Sequence, residues 1–275
     1  LQTSSAKVVI AEPDLWSKIQ PVAKSCGISD DNVFEFDCSS QYPSSDTNAN
    51  SWKTLMQHGE EDWIRFDNLE IALSTPACRL FSSGTTGLPK AASLSHYNII
   101  AQHTIVHEHQ QDRKPYKVSD LSINEVKYRM TVMQVKRILC LPFFHAAMVP
   151  IGHTTPLKAG HVSYVMRRFD LEPFLQCTEQ YSITELFLVP PVILSILQSP
   201  LIRKYSLKSL RWGLVGGAPL DVASLKNFNA LMNADGRINS CWGMTECSCV
   251  GAGYHWREAD VTGSIGRFLP NLEVK

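Results

Sequence analysis

An α/β fold of mainly parallel β-sheets flanked by helices is predicted by three observations. Strand-length apolar runs rich in Val, Ile, Leu and Phe recur along the chain. They alternate with longer helical patterns, and their spacing leaves room for crossover connections. Residues 7–11 (Lys-Val-Val-Ile-Ala) read as a buried strand. Residues 13–25 read as a helix with Pro13 at its first position and Gly27 beyond its end. Residues 32–36 give the next strand, and the Ser-, Asn- and acid-rich stretch 38–62 reads as a loop or linker. Residues 79–83 form a strand that leads through a Gly/Thr loop to a helix starting near Ser95. Later strands are expected at 138–141, 162–165, 184–189, 210–215 and 238–241, with helices between them at, for example, 170–180 and 191–197. No internal repeat is visible.

Composition narrows the function classes. The 275 residues carry 26 basic and 26 acidic side chains, so the formal net charge is zero. That argues against a nucleic-acid partner or an anionic membrane surface, both of which select a basic excess. An apolar content of 44% with 19% charged residues excludes wholesale disorder. The longest apolar-rich run, residues 186–197, contains Pro190 and Pro191 and is too short and broken for a membrane span. No signal-peptide pattern is read in the first residues, and eight Cys without framework spacing read as reduced thiols. An intracellular protein is expected. Cys241, Cys247 and Cys249 crowd one segment but lack the usual zinc spacing.

The sharpest local signal is Ser82-Ser83-Gly84-Thr85-Thr86-Gly87-Leu88-Pro89-Lys90, directly after a strand. Two glycines allow close backbone approach, four hydroxyls and free amides can donate to phosphate oxygens, and Lys90 supplies the cation. A Walker loop is excluded because Gly84 and Gly87 are three apart and Ala91 follows Lys90. A dinucleotide fingerprint is excluded because no G-x-G-x-x-G occurs there. The loop predicts polyphosphate binding without naming a reaction.

Five ordered segments together resemble the adenylate-forming superfamily of acyl-CoA synthetases, nonribosomal adenylation domains and luciferases. They are Ser82–Lys90, the Leu141-Pro142-Phe143-Phe144-His145 run, Gly216-Gly217-Ala218-Pro219-Leu220, Trp242-Gly243-Met244-Thr245-Glu246 and Gly263-Ser264-Ile265-Gly266. Within it, His145-Ala146-Ala147 and the 164–170 segment resemble fungal coumarate–CoA ligase-like acyl-CoA ligases. The resemblance implies the large N-terminal domain of such an enzyme, incomplete over 1–275, with the small C-terminal domain absent. It implies two steps: a carboxylic acid attacks the α-phosphorus of ATP with Mg²⁺, and the CoA thiol then displaces AMP. Such a fragment is expected not to turn over alone. Within the resemblance, the alternatives are an adenylation domain loading a carrier protein and a non-catalytic nucleotide-binding remnant. A cytoplasmic or peroxisomal location goes with this reading.

Carried over by position, Ser82, Ser83, Gly84, Thr85, Thr86, Gly87 and Lys90 would cradle the β- and γ-phosphates. Gly217, Ala218 and Pro219 would line the adenine, with Trp242 and Gly243 beside it. Thr245 would bond the α-phosphate and Glu246 would hold Mg²⁺. Arg168 would meet a CoA phosphate, and His145 would wall the carboxylate end of the acyl pocket. Lys90, His145, Thr245 and Glu246 are thus the expected catalytic set. Trp242 stands where the family usually has Tyr, and Ala147 where coumarate ligases often have Tyr, which enlarges the expected acyl pocket. His103, His107 and His109 share part of a helix face and read as solvated. Residues 118–134 form a patternless insertion. Its ends, Val118-Ser119 and Met133-Gln134, can be encoded by splice-donor and splice-acceptor sequences, so two readings stand side by side, an unspliced intron and an ordinary surface insertion of the kind loops tolerate.

Overall fold

The computed structural model describes residues 1–36, 50–62, 64–82, 89–109, 134–255, 258–260 and 262–274. The loop residues Ser83, Gly84, Thr85, Thr86 and Gly87, and insertion residues 118–133, lie outside that set. The chain divides into two compact units, Leu1–Asp67 and Asn68–Lys275.

In the first unit, β1 (Val9–Ala11) pairs in parallel with β2 (Val33–Glu35), and β2 with β3 (Asn50–Ser51). The predicted helix is a 3₁₀ turn, Pro13–Leu15, running into α1 (Trp16–Ser25). Gly27, at φ +73°, follows the helix end where an L side chain would be strained. Val9, Trp16, Ala23, Ile28 and Val33 form the unit's core. The expected loop over 38–62 is corrected in its described part. Asn50–Ser51 adds a strand and Trp52–His58 is 3₁₀, with the Trp52 ring 5.1 Å from that of Phe36.

The second unit opens with α2 (Leu69–Ser74), where Asn68 Oδ1 caps the helix by accepting from the Glu70 and Ile71 amides. Next, β4 (Pro76–Ser82) pairs antiparallel with β5 (Lys90–Ser95), which leads straight into α3 (His96–His109). Strand β5 replaces what sequence reads as loop. Its Lys-Ala-Ala-Ser-Leu-Ser run is small and polar, and only Leu94 and Ser95 are buried.

The main sheet holds β6 (Lys136–Leu139), β7 (Val162–Val165), β8 (Glu185–Leu188), β9 (Trp212–Val215) and β10 (Arg237–Ser240). All pair in parallel, in the order β10-β9-β8-β6-β7. The connections include α4 (Thr155–Ala159), α5 (Leu171–Gln180), α6 (Pro190–Gln198) and α7 (Val222–Leu231). A π-helical stretch, Val149–Thr154, precedes α4. Side-chain alternation gives the sheet two covered faces. Leu186, Leu188, Val215 and Ile238 join Phe174, Leu175, Ile193, Ile196 and Phe228 in one core, while Phe187, Trp212 and Leu139 pack with Met148 and Ile151 in another. A smaller antiparallel sheet follows, formed by β11 (Trp242–Met244), β12 (Cys249–Gly253) and β13 (Arg267–Phe268).

Between β6 and β8 a buried ion pair crosses the sheet. Arg137 sits opposite Glu185 in register, its Nε donating to Glu185 Oε2 at 2.9 Å and its terminal nitrogen lying 2.8 Å from the same oxygen. Another guanidinium nitrogen donates to the Ile151 carbonyl at 3.3 Å, which ties the Val149–Thr154 turn to the sheet. Burial lowers the Arg137 guanidinium to about 10, still protonated at neutral pH, so the pair is ionic.

Candidate active site at the C-terminal edge of the sheet

The strand order is that of a doubly wound sheet whose direction of progression reverses between β6 and β8. In such sheets, ligands bind outside the carboxyl ends of the strands at that reversal. The loop after β6 carries His145, the turn after β7 carries Arg168, the loop after β9 carries Gly217, Ala218 and Pro219, and the segment after β10 carries Trp242 to Glu246. Parallel pairing therefore sends every predicted site residue from this sheet to one edge.

His145 is exposed in a tight turn, its amide donating to the Pro142 carbonyl at 3.0 Å. The Ala147 amide donates to His145 Nδ1 at 3.1 Å, so the neutral ring carries its proton on Nε2. Phe144 beside it is 80% exposed, while the Phe143 ring packs 5.5 Å from that of His153. Arg168 is exposed between β7 and α5. Gly217 takes φ +85°, a conformation its missing Cβ permits, and Gly217, Ala218 and Pro219 are all exposed.

Trp242 lies on β11 with its indole 6.4 Å from the Phe268 ring in an edge arrangement. The strand is bulged between Trp242 and Gly243. A Cβ on Gly243 would sit 1.7 Å from the Cys249 carbonyl oxygen, and one on Gly251 2.8 Å from the Trp242 ring. These glycines let β12 press against β11, and Gly251 with Gly253 also hides β12 from sequence by diluting its strand signal. Thr245 and Glu246 begin a 3₁₀ turn that closes with the Ser248 amide donating to the Thr245 carbonyl at 3.1 Å.

The decisive contact joins residues far apart in the chain. Ser82 Oγ, at the end of β4, donates to Glu246 Oε1 at 3.0 Å. Lys90 sits opposite Ser82 in the antiparallel register. The two described ends of the Gly/Thr loop thus stand beside the Trp242–Glu246 segment. Three thiols lie in or beside this region: burial pushes Cys241 and Cys140 up to about 11, and Cys249 is raised by burial and by Cys241 and Cys247 nearby. They are unreactive packing groups at neutral pH. Among the described residues, no three of His, Cys, Asp and Glu gather as a metal-binding group.

The sequence reading missed two features. Asp260 is buried, and its Oδ1 accepts from the Thr262 and Gly263 amides at 2.8 and 2.9 Å and from Tyr254 OH at 3.1 Å. Its amide donates to Asn239 Oδ1 on β10 at 3.1 Å, which staples the Gly263–Gly266 turn to the sheet edge. The Asp-x-Thr-Gly composition was the available signal. The second feature is His103, expected on a solvated face; it instead lies with Nδ1 3.4 Å from Thr155 Oγ1.

A sequence profile described as AMP-binding enzyme matches residues 1–275. The chain belongs to the AMP-binding enzyme family. Among its curated relatives, an acyl-CoA ligase of Aspergillus niger is 40% identical over the whole chain, which covers 49% of that protein. An acyl-CoA synthetase of Alternaria alternata is 38% identical, again over the whole chain and 44% of its own length. The chain spans about half the length of the curated relatives it matches. ATP-bound MatB from Rhodopseudomonas palustris has a similar structure, with a TM-score of 0.72 at 21% identity, over 98% of this chain and 46% of that one. A long-chain-fatty-acid–CoA ligase from Archaeoglobus fulgidus also reaches 0.72 at 21% identity, over 98% and 48%. These neighbours share the AMP-binding fold. No helix among the described residues is long and apolar enough to cross a membrane.

Proposed function

We propose that this chain forms the ATP- and acid-binding body of an AMP-forming acid–thiol ligase that makes acyl-CoA from a carboxylic acid. The observation that carries the reading is the Ser82–Glu246 hydrogen bond, which sets the start of the phosphate loop against the acidic turn. Family membership and acyl-CoA ligase relatives of 40% and 38% identity support it. In the first step a carboxylate oxygen bonds to the α-phosphorus and the bond to the β-phosphate bridging oxygen breaks, releasing pyrophosphate. In the second, the CoA thiol adds to the acyl carbon, its proton passes to solvent, and AMP leaves.

Lys90 and the loop amides hold the polyphosphate, and Thr245 donates to the α-phosphate. His145, protonated on Nε2, can donate to the acid's carboxylate and orient it. Gly217, Ala218, Pro219, Gly243 and the Trp242 indole flank the adenine. Arg168 offers an exposed guanidinium to a CoA phosphate. The exposed Glu246 carboxylate with the Ser82 hydroxyl fits a hard cation, since Mg²⁺ prefers one or two carboxylates plus substrate phosphates. Mg²⁺ when bound neutralises charge on the transferring phosphates.

The test incubates the full-length protein with ATP, Mg²⁺, CoA and a panel of carboxylic acids that includes phenylacetate and nicotinate. Those two are chosen because relatives are named phenylacetyl-CoA and nicotinic acid–CoA ligases. Acid-dependent formation of acyl-CoA with one AMP per thioester is expected. ATP cleavage to ADP, or no acid dependence across the panel, contradicts the reading.

A further inference from the structure

Behind the His145 and Thr245–Glu246 turns lies a cavity of about 10 Å³, room for one water-sized group. Ile99, Val149 and Pro150 give it apolar walls, and Gln102, His103, Thr154 and Ser248 add polar ones. Gln102 is 8% exposed and Ser248 3% exposed. Gln102 Oε1 and Ser248 Oγ are buried and have no hydrogen-bond partner among the described residues. The Gln102 amide is not free to flip, because its nitrogen donates to the Val250 carbonyl on β12. Its oxygen is therefore fixed as a buried acceptor on a residue that lines the cavity, while the Ser248 hydroxyl can both donate and accept.

Two of the lining residues continue segments of the candidate active site. Ser248 closes the turn begun by Thr245, and Val149 continues the chain from His145, its amide donating to the Ala146 carbonyl at 3.2 Å. An orphaned buried acceptor selects a donor, and apolar walls around it exclude bulk water. A hydroxyl group satisfies both atoms at once: its proton goes to Gln102 Oε1 and its oxygen accepts from Ser248. A pyridine-type nitrogen leaves Gln102 Oε1 unsatisfied, and a methyl group leaves both.

We infer that this cavity receives the distal hydroxyl of the acid, so that Gln102 and Ser248 select hydroxylated carboxylic acids. The inference rests on the proposed acid-activating function and names its substrate class. A site built to hydrogen-bond a hydroxyl rejects the analogue lacking it, here by about 10- to 100-fold.

The experiment measures, by calorimetry on the full-length protein, binding of acyl-sulfamoyl-adenosine mimics in matched pairs. The pairs are 4-hydroxybenzoyl against benzoyl and 6-hydroxyhexanoyl against hexanoyl. The hydroxylated member of at least one pair is expected to bind about 10- to 100-fold more tightly. Ser248→Gly, which tolerates the φ of +59° at that position, and Gln102→Leu should each shrink that ratio towards one. Equal affinity within both pairs means the cavity holds only an ordered water and overturns the inference while leaving the proposed function standing. A preference that survives both substitutions also overturns it. If no mimic binds at all, the proposed function falls as well.

Discussion

Replacing Glu185 by Gln keeps the side chain's volume and removes one charge from a pair whose side chains are each only 4% exposed. At 2.8 Å, and with an effective dielectric of about 20, the lost attraction is roughly 6 kcal/mol. Part of that returns as relaxation and as a neutral hydrogen bond to Gln. Breaking a buried pair from one side costs about 3–5 kcal/mol because the surviving charge is stranded. An arginine guanidinium resists deprotonation strongly, so Arg137 is left as the stranded charge. Its ties to Glu185 and to the Ile151 carbonyl join β6, β8 and the Val149–Thr154 turn, the elements around the His145 loop. Urea unfolding should therefore show Glu185→Gln about 3–5 kcal/mol less stable, a large share of a typical 5–15 kcal/mol total. The double change Arg137→Met with Glu185→Leu should recover most of it, because hydrophobic residues of similar volume often replace such pairs without loss. A loss under about 1 kcal/mol for Glu185→Gln, the range of exposed pairs, would refute the reasoning.

Three further outcomes are expected. Gly243→Ala places a methyl 1.7 Å from the Cys249 carbonyl oxygen. Ordinary C···O contacts begin near ~3.3 Å, so β11 and β12 must part by roughly 1.5 Å. Stability should fall by about 1–3 kcal/mol and the Trp242 emission should shift; an unchanged melt and spectrum would speak against the close strand contact. Thiols Cys140 and Cys241 ionise near 9.0 in the unfolded chain and about 11 when folded, so their contribution is full below pH 9 and is lost as pH rises towards 11. Each adds a slope of about 1.4 kcal/mol per pH unit in that window, and the Cys140→Ala, Cys241→Ala variant should show a shallower alkaline decline in urea midpoints. A parallel decline in both proteins would contradict burial of these thiols. Finally, sequencing the mature transcript separates the two readings of residues 118–134: direct joining of the Lys117 and Val135 codons marks an intron, and a cDNA that retains codons 118–134 rejects it in favour of a surface insertion.

The parallel sheet was legible because β8 and β9 at its centre lie in apolar runs and the other strands each keep an apolar residue or two at regular spacing. Residues 162–165 were placed where β7 lies. Charge blurred one boundary: β6 begins at Lys136 rather than 138 because Arg137 is buried through Glu185, which no periodicity announces. Strands β5 and β12 were missed because the first is small and polar and the second holds Gly251 and Gly253. Motif spacing found the candidate site residues one by one, but the meeting of Ser82 with Glu246 required the fold. His103 reads as part of a solvated helix face. Only the packing of α3 against β12 and the Val149–Thr154 turn reveals a lined cavity there.

ATP–pyrophosphate exchange tests the central claim most directly. In the full-length protein, exchange should require a carboxylic acid, and Glu246→Gln and Lys90→Ala should each lower it about 100- to 1,000-fold, the usual cost of removing one group that stabilises developing charge. Exchange that proceeds without an acid, or that is unchanged in Glu246→Gln, would contradict the account.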